Sequence, residues 1–184
     1  MKAVLLSVQP RWCEHIASGK KTVEVRKTRP KLKAPFKVYI YCTKGEYLWL
    51  DKGRVFLDGK YNRIIDNLPE RLLNSRVIGE FVCDEIYPIK VHSNCAVQNW
   101  NWFELSRSCL SLDEVAKYIG ANKTGYGWHI SNLVIYDKPK KLSEFYNYDP
   151  TYNNAFGWAF SEEEKRTYLK RPPQSWCYVE ELSE

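Results

Sequence analysis

Residues 19–26 read Gly-Lys-Lys-Thr-Val-Glu-Val-Arg, GKKTVEVR. From Thr22 onward polar and apolar residues alternate: Val23 and Val25 point one way, Thr22, Glu24 and Arg26 the other. That period of two predicts a β-strand with one apolar and one polar face. The ten residues before it, PRWCEHIASG, have the helical period instead. Trp12 and Ile16, and Cys13 and Ala17, stand four apart and share a face. Pro10 suits the first helical position, where its missing N–H is no loss, and Gly19 supplies the stop. Lys20 and Lys21 then fall at the helix C-terminus, where the backbone dipole favours cations.

Outward from this stretch the elements remain short. Lys2–Val8 is rich in Val and Leu and reads as a buried first strand. A basic, proline-bearing loop, TRPKLKAP, leads to a strand FKVYIYC, and GEYLWLDKGRVFLDGKY reads as a hairpin. LPERLLNS suggests a brief helix. RVIGEFVCDEIYPIKV reads as one long strand, with Gly79 marking a bend. Ser111-Leu-Asp-Glu114 is a capping box that opens a helix ended by Gly120. GYGWHISNLVIYD reads as a further strand. Beyond Pro139 aromatic and polar residues dominate, with a short helix expected from Ser161, and RPPQSWCYVEEL closes with a strand over about 175–181 that is expected to return to the sheet. Six or seven strands with two or three short helices and no βαβ repeat predict a mainly β (α+β) fold, a small closed or nearly closed barrel.

With 184 residues, 44% of them hydrophobic and 15% aromatic, the chain suits one globular domain rather than a disordered segment. No apolar run approaches the roughly 20 residues of a membrane helix, and the N-terminal apolar stretch is too short for a secretory signal. The six cysteines are scattered without a Cys-x-x-Cys pair, which argues against a metal centre and, with no leader, for a reducing, cytoplasmic setting. Neither metal nor cofactor is expected. Charge is uneven. Residues 20–37 hold eight Lys and Arg against Glu24 alone, so this segment's +7 exceeds the +6 of the whole chain. Such concentration suggests a polyanion contact, and otherwise a solvated loop.

Ser7-Val-Gln-Pro10, a short helix, Gly19-x-Lys21-x-x-Glu24-x-Arg26 and a later Gly79-Glu-Phe strand, in this order, resemble the ASCH domain of the PUA-like β-barrel superfamily. The likeness covers residues 2 to about 143, with 144–184 as a C-terminal extension. The RPPQSWCYVE ending resembles small bacterial and prophage-encoded ASCH proteins. The resemblance implies a single-domain PUA-like barrel and a polar cleft lined by Lys21, Glu24 and Arg26, with Ser7 nearby, that receives RNA or a nucleotide. Lys and Arg suit phosphate, and a carboxylate accepts from a base amine. Lys20, Thr22, Lys27 and Arg29 join the candidate binding set, and Trp128 is its candidate stacking ring, in Tyr126-Gly-Trp-His129. Equally, Glu24 and Arg26 suit a structural ion pair on a strand. Trp100, Trp102, Phe103, Phe156, Trp158 and Phe160 read chiefly as core, and His129 as a satisfied rim histidine.

An enzyme is the alternative. Some small ASCH proteins that hydrolyse N4-acylated cytidine have Gly-x-Lys-Thr-x-Thr-x-Arg, with the second threonine as nucleophile. Here Glu24 stands in that place. The distant glutamate of those enzymes has no counterpart in LSRSC, which offers Ser106 and Ser108. Glu24 as general base and Lys21 as oxyanion partner would be the catalytic pair of an amidohydrolase or ribonuclease. A third class is a protein-interaction module using the aromatic stretch 145–160.

Overall fold

The computed structural model describes residues 1–45, 47–50, 53–56, 73–98, 102–148 and 167–182. The helix expected at LPERLLNS begins outside these residues; the one expected from Ser161, with Trp100, Phe156, Trp158 and Phe160, lies wholly outside them.

Eleven strands and three short α-helices are present among the described residues. In chain order they are β1 (Lys2–Val8), α1 (Pro10–Ala17), β2 (Val23–Arg26), β3 (Phe36–Cys42), β4 (Tyr47–Leu50), β5 (Gly53–Phe56), β6 (Arg76–Cys83), β7 (Ile86–Val91), β8 (Val97–Gln98), α2 (Trp102–Ser108), α3 (Leu112–Ile119), β9 (Lys123–His129), β10 (Ser131–Lys140) and β11 (Trp176–Glu180). The protein is mainly β. One sheet has the order β10-β6-β3-β1-β11, another β2-β9-β7-β8, and β4 and β5 form a separate hairpin. Among the described residues the ladders form open sheets, and the closed or nearly closed barrel expected from the sequence is not seen among them.

The two long strands expected from sequence are each divided. RVIGEFVCDEIYPIKV becomes β6 and β7, split at Asp84–Glu85 rather than bent at Gly79, and the two halves belong to different sheets. GYGWHISNLVIYD divides at Ile130 into β9 and β10, again in different sheets. The divisions meet: His129 N–H donates to the Glu85 carbonyl at 2.9 Å, and Ser131 Oγ donates to the Val82 carbonyl at 2.9 Å. An alternating apolar pattern that runs through both halves conceals such a change of sheet.

The chain forms two compact units, each discontinuous in sequence: 1–10, 39–79 and 136–184, and 11–38 and 80–135. The first is organised by antiparallel pairing of β1 with β11, from Lys2 opposite Glu180 to Leu6 opposite Trp176. Ala3, Leu5, Tyr39, Tyr41, Val77, Phe145, Leu169 and Val179 form its core.

The second unit contains the four-stranded sheet. Val25, Ile89 and Val91 pack with Leu105 of α2 and with Val115, Ala116 and Ile119 of α3. The capping box of α3 is complete: Ser111 Oγ accepts from the Glu114 N–H at 3.2 Å, and Glu114 Oε2 accepts from the Ser111 N–H at 2.8 Å. Close packing of helix on sheet requires glycine in β9, because a Cβ on Gly125 would lie 2.6 Å from Ile119 Cδ1. No helix among the described residues is long and apolar enough to cross a membrane, and all six cysteines are free.

Candidate functional site

The motif strand lies in the second unit, and its residues converge. Lys21 Nζ is 3.2 Å from Glu24 Oε2, and Arg26 Nη2 is 2.9 Å from Glu24 Oε1, so one carboxylate bridges two cations. Lys21 Nζ also donates to the Ser108 carbonyl at 2.6 Å and stands 5.1 Å from the centroid of the Trp12 ring. Alternation predicts a strand with one exposed face; all four residues of β2 are buried instead. Lys21, Glu24 and Arg26 are 2%, 5% and 7% exposed. Glu24 is therefore not the exposed strand position its alternation suggests. It is held in the ion pair with Arg26 that the sequence equally allowed, and Lys21 makes that pair a triad.

The last turn of α2 grips the lead-in to this strand, one residue against one. The Thr22 N–H donates to the Arg107 carbonyl at 2.9 Å, Lys21 Nζ reaches Ser108, and Cys109 Sγ donates to the Lys20 carbonyl at 3.4 Å. The sequence reading missed this helix, taking NWNWFEL chiefly for core aromatics and noting LSRSC only for the carboxylate it lacks. Phe103 is in fact exposed. Glu104 in the first turn and Arg107 in the last match the helix dipole and were the available signal.

Arg107 also begins a second network that no motif announces. Its Nε donates to Thr22 Oγ1 at 2.8 Å, and its Nη2 donates to His129 Nε2. His129 Nδ1 in turn donates to Asp84 Oδ1 at 2.6 Å. Partial burial raises the Asp84 carboxyl, but the His129 hydrogen bond, the Asp84 backbone, the electrostatic influence of the His129 ring and a Ser131 hydrogen bond outweigh it and hold the group below its ordinary range. Nearby, burial and then the Glu85 charge and hydrogen bond push the Tyr87 phenol up to about 12, against the lowering effect of Arg107.

The remaining candidates separate. Lys20, Lys27 and Arg29 are exposed, with Lys27 Nζ 5.2 Å from the Tyr118 ring centroid and Arg29 5.8 Å from that of Tyr126. Trp128, the expected stacking ring, is fully buried and meets Phe36 edge-on at 6.0 Å, so it serves packing. Ser7 belongs to the first unit, where its hydroxyl donates to the Pro173 carbonyl at 2.7 Å. Among the described residues no group of three or more His, Cys, Asp or Glu side chains is placed to hold a metal ion.

No family model matches the sequence, and no curated protein matches it. Solved structures do. The ASCH protein of Zymomonas mobilis, as a serine-to-alanine mutant, is 18% identical with a TM-score of 0.56, over 97% of this chain and 88% of that one. A tyrosine-to-phenylalanine mutant of the same protein gives 18% and 0.56 over 98% and 91%. The ASCH protein from Zymomonas mobilis gives 18% and 0.51 over 97% and 87%. Likeness at this identity speaks to architecture, and the chain has the fold of an ASCH domain.

Proposed function

We propose that the protein binds RNA or a nucleotide through the basic surface of its second unit, using the Lys21–Glu24–Arg26 triad as the fixed ionic base of that surface. The observation that carries this reading is the division of labour within residues 20–33. Lys21 and Arg26 are buried on Glu24, whereas Lys20, Lys27, Arg29, Lys31 and Lys33 are exposed to solvent. The exposed cations stand at the surface, and their concentration on a chain that is otherwise near neutral favours a polyanionic partner. The ASCH fold agrees with a nucleic-acid ligand.

Binding is favoured over hydrolysis by the state of Glu24. Each of its oxygens already faces a cation, at 3.2 and 2.9 Å, and the side chain is buried, so the carboxylate is occupied structurally rather than turned toward a water or substrate.

Salt titration tests the reading. Affinity for an oligoribonucleotide is expected to fall linearly on logarithmic axes, with a slope of about −0.7 for each phosphate neutralised. Lys31→Glu with Lys33→Glu should flatten that slope, and Lys138→Glu with Lys140→Glu should leave it unchanged. Binding that is insensitive to salt, or equally sensitive in both double variants, would reject this surface.

A further inference from the structure

The four-stranded sheet has a second face that turns from core to open surface within two residues. On β9, glycines 125 and 127 point toward the helical side, since a Cβ on either would strike Ile119 or Val23. Tyr126 between them therefore projects from the opposite face. Cross-strand register gives that face rows: Glu24, Trp128 and Ile86 form one, and Arg26, Tyr126 and Pro88 the next. Thr124 and Lys90 follow. Trp128 is sealed, Tyr126 is half-exposed, and Pro88, Thr124 and Lys90 are exposed. The Arg29 guanidinium, from the exposed basic loop, lies over the Tyr126 ring at 5.8 Å from its centroid. A flat, cationic group thus already reaches this ring's face, on an exposed side chain.

We propose that Tyr126, flanked by Pro88 and Arg29, is a stacking position for one unpaired base of a single-stranded nucleic acid, with Lys90 and the basic loop meeting the adjoining phosphates. The proposal rests on the nucleic-acid reading above and adds to it a specific ring and a requirement for an unpaired base. An aromatic face takes any base, because every base has a π-surface. The exposed neighbours of Tyr126 include two cations, Arg29 and Lys90, a setting that suits phosphate rather than an apolar protein partner. The sequence pointed two residues away, to Trp128, because glycines flank both rings; register and burial decide between them.

The experiment compares fluorescein-labelled decauridylate with a decamer of abasic sugar-phosphate, by fluorescence anisotropy over a salt series. Stacking predicts that the abasic strand binds the wild-type protein about tenfold more weakly with the same salt slope. Tyr126→Leu, which keeps apolar bulk without a π-face, should reproduce that loss on decauridylate, and Tyr126→Phe should bind within about twofold of wild type. Arg29→Gln should reduce the salt slope by about 0.7. Equal binding of the two strands by wild type would overturn the stacking position while leaving salt-dependent nucleic-acid binding intact. Failure of decauridylate to bind at low salt would remove both readings. The strand comparison needs no mutation, so misfolding of a variant does not affect it.

Discussion

Two ionic networks grip the same short segment, residues 21–26, and they are built for different surroundings. Lys21, Glu24 and Arg26 are sealed, and every charge among them leans on another or on a backbone carbonyl. Asp84, His129, Arg107 and Thr22 form a chain that reaches solvent, with the Asp84 side chain 44% exposed. Where water is excluded, removing one charge strands its partners; where water remains, it substitutes for them. The same residue types therefore carry very different energies a few ångströms apart in one fold.

The largest expected difference comes from Glu24→Ala. It leaves Lys21 and Arg26 buried without their shared carboxylate, and should cost about 3–5 kcal/mol of unfolding free energy. Asp84→Ala should cost under about 1 kcal/mol. Urea denaturation of both variants checks the contrast, and comparable losses would mean that the triad is far better hydrated than its exposure indicates.

Gly125→Ala probes what seals the triad's strand. The added methyl would meet Ile119 Cδ1 at 2.6 Å and the Arg26 carbonyl at 3.1 Å, pressing α3 and β2 away from β9. Overpacking of this kind costs about 1–3 kcal/mol. If the melting temperature is instead unchanged, α3 yields easily and the seal is looser than the packing implies. Ser111→Ala acts on the same helix from its far end by removing the cap that accepts from Glu114 N–H, a loss of about 1 kcal/mol read by the same denaturation.

These contrasts also mark where the sequence was legible. The helix at Pro10–Ala17, the strand at Val23–Arg26 and the Ser111 capping box follow from local spacing and appear where that spacing puts them. Alternation put Thr22, Glu24 and Arg26 on one face, and the resemblance to the ASCH motif joined Lys21 to Glu24 and Arg26. Neither could say that the polar face of β2 is covered, since burial of Glu24 depends on Lys21 turning inward and on Ser108, 87 residues after Lys21, offering a carbonyl. Asp84 and His129 were illegible for a related reason. Each sits at a break where a strand changes sheet, and such breaks are set by long-range pairing rather than by residue pattern. Trp128 and Tyr126 differ only in depth along one strand, which composition does not encode.

The smallest effect is the pH dependence of the open network, and its sign follows from Asp84. Its carboxyl is held below the ordinary 3.8 in the folded protein: burial works against this, and the His129 hydrogen bond is the leading opposing cause. A group lowered on folding stabilises fully above its unfolded value, and that stabilisation disappears as pH falls through the folded value. Asp84 thus contributes nothing to pH dependence between 5 and 8 and loses its contribution below about pH 4. With the side chain so exposed, the loss should be a fraction of a kcal/mol. Asp84→Asn should accordingly give a shallower decline of unfolding free energy than wild type between pH 4 and 2. A variant curve as steep as wild type throughout would mean that the carboxylate gains no net stabilisation from His129, and that the open network positions Arg107 without stabilising the fold.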